Sequence, residues 1–207
     1  VVYPQSISNK VLWNCFGISD GKPGYPNELN YLDALFGIIC GKYNVDRSRV
    51  YIHGQSMGDM MTTDYLMEHS ELFAAACPSA GPTTPSFMYR ADGSQRRIPP
   101  ASLPITRMHG TLDHLVFGMD RAASAKMTGE ELCVNKMEAG VLPALQPWLD
   151  RNGCTDTPKI SVRGIYNAVN YGGKDGCDTW FFTIEGGEHN PAPEYADLLW
   201  TYFLSDY

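Results

Sequence analysis

Apolar positions along this chain recur in two different periods, and the switches between them mark out the elements. Leu32, Leu35, Phe36 and Ile39 fall at three- and four-residue intervals and predict a helix over Glu28–Tyr43. Helical spacing returns over Met57–His69, Ala144–Arg151 and Tyr195–Ser205, and more briefly over Met119–Met127. Short runs rich in β-branched and aromatic residues predict strands at Val1–Pro4, Val50–His53, Phe73–Cys77, Ile105–His109, Ile160–Tyr166 and Thr179–Glu185. Residues 5–27 are rich in Gly, Pro and Asn and read as a loop, and Pro82–Pro100 is a long Pro-rich excursion. Strands alternating with helices predict an α/β domain, a doubly wound and mostly parallel sheet with helices on both faces. With 207 residues the chain is one domain, long enough for a substantial core.

One junction carries chemistry. Gly54-Gln55-Ser56-Met57-Gly58 has the form Gly-x-Ser-x-Gly, follows the strand run ending at His53 and opens the next helical run. A serine at the tip of a sharp strand-to-helix turn is held with its hydroxyl exposed. Glycine on either side lets strand and helix approach where a Cβ would clash. The next backbone N–H, that of Met57, then lies at a helix N-terminus, where it can hold an oxyanion. The bland alternative is an ordinary turn whose serine caps the helix.

A nucleophilic serine needs a base, and the base needs an orienting acid. Of the five histidines only His189 lies far downstream; it follows the strand run 179–185 and the turn Gly186-Gly187-Glu188. Asp113 stands just past the end of the strand run 105–109, on the edge where open α/β sheets carry their functional loops. The order Ser56, Asp113, His189 is the order of a nucleophile-elbow triad. Asp113 as an ordinary Asx-turn residue is the competing reading, with Asp120 as the reserve acid.

Composition narrows the partners. The net charge is −7 with no basic stripe, which argues against nucleic acid. No apolar run approaches the roughly 20 residues of a membrane span. Six cysteines, at 15, 40, 77, 133, 154 and 177, fit either three disulfides in an oxidising compartment or buried thiols. Neither Cys-x-x-Cys nor His-Glu-x-x-His spacing occurs, so no metal site and no cofactor is expected.

Four stretches together resemble the polyhydroxybutyrate depolymerase and feruloyl esterase group of α/β-hydrolases. They are Tyr43–Tyr51 leading into the elbow, Leu72–Ala76 after it, His109-Gly110-Thr111-Leu112-Asp113, and Asn152-Gly153-Cys154 with Cys177 and Gly186–His189. Val1–Gln5 resembles an early strand of that group. The resemblance implies an α/β-hydrolase fold with Ser56, Asp113 and His189 as its triad, and a Cys154–Cys177 disulfide steadying the His189 strand. The chain departs from the group at Asp59 and Glu188, where glycine is common, and at Asn190–Pro193. A carboxylate in the first helical turn, as at Asp59, suits the helix's positive end.

Proteins of this fold draw a second oxyanion donor from a loop after an earlier strand, and no such segment precedes Ser56. The expectation is therefore that the first strands are absent from this chain, and that a separate N-terminal segment completes the fold and supplies the donor; the alternative is a chain that has lost catalysis. The resemblance implies a secreted or periplasmic serine esterase acting on acylated polysaccharide. Residues 82–100 are expected to border the substrate, with Phe87 and Tyr89 gripping an acyl or sugar ring. Polyester depolymerase, serine peptidase and non-catalytic binding module are the alternatives.

Overall fold

Six strands form one mixed sheet in the computed structural model of the chain, which describes residues 1–7, 12–15, 26–81, 97–113, 142–155, 157–189 and 195–207. The strands are β1 (Tyr51–Gln55), β2 (Ala75–Ser79), β3 (Ile105–Gly110), β4 (Lys159–Arg163), β5 (Tyr166–Tyr171) and β6 (Thr179–Ile184). Their spatial order is β1-β2-β3-β6-β5-β4. β1, β2, β3 and β6 run parallel, and β5 and β4 return antiparallel to them. β2 and β3 are buried along their whole length, as central parallel strands covered on both faces must be. β4 is exposed throughout and edges the sheet, with Lys159 and Arg163 at its two ends; charge on an edge strand discourages further pairing.

Among the described residues four α-helices flank the sheet: α1 (Glu28–Lys42), α2 (Met57–His69), α3 (Leu142–Asn152) and α4 (Tyr195–Tyr202). On one face α2 and α3 bury Leu66, Met67 and Trp148 against Ala76 and Ile105, and Leu145 against Val169 and Phe181. On the other face Leu199 of α4 packs on Cys77 and Met108, beside Phe182 and Ile184. α1 lies outside α2, where Leu29 and Leu32 meet Met60 and Met61. Its first turn is fixed by Asn27, whose side chain accepts from the Asn30 N–H at 3.1 Å, the preferred N-cap arrangement. Tyr65 Oη donates to Asp33 Oδ1 at 2.9 Å and ties α1 to α2.

Three expectations change. Val1–Pro4 forms no strand; it is exposed, and the backbone N–H groups of Ile7 and Asn14 turn to the buried Glu28 carboxylate. Residues 160–166 do not make one strand. Gly164, at φ +66°, turns the chain with Ile165, so that Arg163 pairs with Tyr166 in a tight β4–β5 hairpin. The last helix stops at Tyr202, followed by a short 3₁₀ turn at Leu204–Asp206. Met119–Met127 and residues 82–96 of the Pro-rich excursion lie outside the described residues.

Candidate active site

Ser56 stands between β1 and α2 at φ 56° and ψ −116°, a left-handed conformation that a residue with a Cβ rarely adopts. Its side chain makes no capping hydrogen bond to the helix, which removes the reading of Ser56 as a capping residue. Two contacts hold the strained residue: its N–H donates to Ser79 O at 2.9 Å, and its C=O accepts from the Met60 N–H at 3.2 Å. A Cβ built on Gly54 would stand 2.1 Å from Gly58 O, so Gly54 is required for the close approach, whereas a Cβ on Gly58 would meet nothing within 4 Å, and the expected clash there is not found. Met57 opens α2, so its N–H has no acceptor one turn back in the helix.

The two downstream loops bring their residues to this tip. His189 Nε2 lies 2.9 Å from Ser56 Oγ, and His189 Nδ1 lies 2.9 Å from Asp113 Oδ2. A carboxylate oxygen only accepts, so the imidazole proton sits on Nδ1 and Nε2 is left to accept the Ser56 O–H. The Asp113 side chain is fully buried and that of His189 is one-fifth exposed, an arrangement that keeps the base in reach of a substrate and the acid away from water. β3 and β6 are adjacent and parallel, which puts their carboxyl ends, and the loops bearing Asp113 and His189, side by side.

Several contacts that the sequence did not disclose lock these loops together. Gly186 N–H donates to Thr111 Oγ1 at 2.9 Å, and Leu112 N–H donates to Gly187 O at 2.8 Å. A Cβ on Gly110 would meet Gly187 O at 2.2 Å, so the two turns touch backbone to backbone. Gln55, the residue before the serine, donates from Nε2 to His189 O at 2.6 Å and fixes the histidine loop to the elbow directly. The one sequence signal for Gln55 was its position inside the pentapeptide.

Asp59 turns out to be the buried anchor of the elbow helix. Its Oδ1 accepts from Arg107 Nη2 and, at 3.3 Å, from Thr63 Oγ1; its Oδ2 accepts from the Gly81 N–H at 2.9 Å. Neither ionic side chain reaches solvent appreciably. Burial pushes the Asp59 carboxyl above its usual range, against the opposing pull of Arg107 and the Gly81 N–H. The first turn of α2 is thereby tied to β3 and to the end of β2.

The other described histidines are occupied elsewhere. His53 Nδ1 lies 2.7 Å from Cys77 O, His69 pairs with Asp33 at 3.1 Å, and His109 is wholly buried in β3. Phe87, Tyr89, Asp120 and His114 lie outside the described residues. The Cys154–Cys177 disulfide implied by the resemblance is not formed; both are thiols, as are Cys15, Cys40 and Cys77. Cys154 Sγ donates instead to Thr179 Oγ1 at 3.3 Å, which turns it toward β6. Burial pushes the Cys177 thiol up, and Asp175, Asp178 and Cys154 add to the rise. Among the described residues no group of three or more His, Cys, Asp or Glu is placed to hold a metal ion, and no helix is long and apolar enough to cross a membrane.

A mixed sheet with helices on both faces, a strained serine at a strand-to-helix turn, and an acid and a histidine on loops after later strands define a hydrolase-type α/β domain. Comparison with solved structures gives the same fold: an acetyl xylan esterase from Aspergillus awamori superposes with a TM-score of 0.50 over 84% of this chain and 66% of that one, at 21% identity. The chain has the α/β-hydrolase fold. Its curated relatives include feruloyl esterase B of Piromyces equi, 29% identical over 151 residues, and a bifunctional acetylxylan esterase/xylanase of Neocallimastix patriciarum, 28% identical over 116 residues. These matches take in 73% and 56% of this chain but only 26% and 15% of the respective relatives. No family model matches the chain.

Proposed function

We propose that the protein is a serine carboxylic-ester hydrolase that works through an acyl-enzyme. The observation that carries this reading is the unbroken relay from Ser56 Oγ through His189 to Asp113, 2.9 Å at each step, built on a serine held at positive φ. Ser56 Oγ attacks the ester carbonyl while His189 Nε2 takes its proton. Asp113 holds the Nδ1 tautomer and stabilises the imidazolium. The Met57 N–H donates to the tetrahedral oxyanion. His189 then gives its proton to the leaving alcohol, and a water activated by the same imidazole releases the acid and restores Ser56.

The substrate we assign is an acyl ester on plant polysaccharide, feruloyl or acetyl. That choice rests on what the relatives from Piromyces and Neocallimastix are named for. Hydrolysis of p-nitrophenyl acetate and methyl ferulate, measured beside Ser56→Ala, tests both levels. Turnover that disappears with Ser56 supports the esterase, and the ratio of the two rates selects the acyl group. Fluorophosphonate labelling of Ser56 without turnover of either ester would move the substrate to polyester or peptide. No labelling of a folded protein would refute the catalytic role.

A further inference from the structure

The histidine of the relay is carried a long way across the sheet. His189 follows β6, whereas Ser56 stands at the end of β1. β3 and β2 lie between those strands, so the loop reaches across three inter-strand spacings, about 14 Å at ~4.8 Å each. It sets out through Gly186, at φ +73°, and Gly187, and glycine is the residue with the freest backbone. A loop of that make-up does not by itself hold an imidazole to within about 0.5 Å, the tolerance a catalytic constellation needs.

The near end of the loop is fastened to the turn after β3, by Gly186 N–H to Thr111 Oγ1 and Leu112 N–H to Gly187 O. At the ring, Asp113 fixes Nδ1. The main chain of His189 is held from the opposite side, where its carbonyl accepts from Gln55 Nε2 at 2.6 Å. Gln55 is the last residue of β1 and precedes the nucleophile directly. Its half-buried carboxamide thus ties the backbone of the base to the backbone that carries Ser56. The side-chain type fits the task. A carbonyl needs a donor, and a carboxamide supplies one without charge. Lysine or arginine would donate too, but would place a cation near an imidazole that must itself become cationic, and so weaken the base.

We propose that Gln55 is the positioning residue of the base, a role that rests on the reading of Ser56 as nucleophile and His189 as its proton acceptor. With the carboxamide in place, His189 Nε2 stays in reach of Ser56 Oγ as the proton moves to the ring and on to the leaving group. Without it, the ring keeps its bond to Asp113 and swings away from the serine. Gln55 acts on the histidine backbone, so its effect falls on the rate of the chemical step and leaves the affinity for the bound molecule alone.

The test uses a fluorophosphonate probe, which reads Ser56 and its base whatever the natural ester. The inactivation rate at saturating probe, kinact, and the half-saturating concentration, Ki, are measured at pH 8 for the unaltered protein, Gln55→Met and Gln55→Glu. Methionine keeps the length of the side chain without a donor, and ionised glutamate keeps its shape without one. Both variants are expected to lose about 10–100-fold in kinact, the scale of a displacement of about 1 Å, with Ki unchanged. Their melting temperatures should fall by no more than about 4 °C, as loss of one net hydrogen bond predicts. A kinact within about twofold of the unaltered protein in either folded variant, or a loss confined to Ki, would overturn the assignment. So would a fall in Tm above about 10 °C in both variants, which would make Gln55 a structural residue. No labelling of the unaltered protein would refute the hydrolase reading and this inference with it, whereas undiminished labelling of the variants would refute the role of Gln55 alone.

Discussion

Replacing Arg107 by methionine isolates a charge at the base of the elbow helix. The Asp59 side chain has no solvent exposure and that of Arg107 only 4%. Removing one partner of such a buried pair leaves the other uncompensated, a loss of about 3–5 kcal/mol. For a chain of this size each kcal/mol lowers Tm by about 2–4 °C, so Arg107→Met is expected to melt about 6–20 °C below the unaltered protein. The pH dependence has a definite sign. Burial already holds the folded-state pKa of Asp59 above its unfolded value, and the variant loses the strongest opposing influence. The folded variant therefore binds a proton over a range where the unfolded chain has released it. The stability this contributes is complete below the unfolded pKa and is lost as pH rises through the folded one. The melting deficit should accordingly be larger at pH 8 than at pH 5. Replacing both partners by apolar side chains, Asp59→Leu with Arg107→Met, should recover part of the loss, less the cost of leaving the buried Gly81 N–H without its acceptor. Thermal melts at the two pH values decide the matter. A deficit below about 1 kcal/mol, one that does not change with pH, or a double variant no better than the single one would refute this account of the pair.

Gly54→Ala should destabilise the fold and abolish fluorophosphonate labelling of Ser56, because the new Cβ meets Gly58 O at 2.1 Å; a labelled variant that melts normally would contradict the elbow geometry. Asp113→Asn should leave the fold intact and lower esterase turnover by about 10⁴, since an amide no longer enforces the Nδ1 tautomer; near-normal kcat would dismiss Asp113 as the orienting acid. Burial pushes the Cys15 and Cys77 thiols to about 12, so both should resist iodoacetamide in native protein at pH 8 while the partly exposed Cys40, Cys154 and Cys177 react sooner. All five described thiols should alkylate in denaturant without reductant, and protection of Cys154 and Cys177 there would restore the disulfide.

Much of the site was legible because its signals are local. A strand, a Gly-x-Ser-x-Gly turn and a helix are contiguous in sequence, and the steric demand of that turn is met by residues four positions apart. The limits of α2 at Met57 and His69 matched the pattern for the same reason. Asp113 and His189 could be nominated because both stand just past strand-like runs, and strand ends are where a parallel sheet exposes its loops. The hairpin at Gly164 was missed because a β-branched run continued through it; Ile160, Val162 and Ile165 concealed the turn that the positive φ of one glycine makes.

The residues that support the site could not be read in the same way, because their partners are distant in the chain. Asp59 looked like a departure in a first helical turn that its charge merely suited. The structure instead buries it on Arg107, 48 positions away, and only the packing of α2 across β2 and β3 creates that pairing. The hold of Gln55 on the His189 loop, 134 positions away, has no local pattern at all. The fate of Cys154 likewise depended on which neighbour β6 offered, and Thr179 took its sulfur. The sequence by itself determined most of the elements and nominated the serine, the acid and the histidine, since backbone sterics and side-chain periodicity act over a few residues. The tertiary structure alone decided their distances, their burial and the contacts that hold them, because those follow from which strand ends the sheet order brings together.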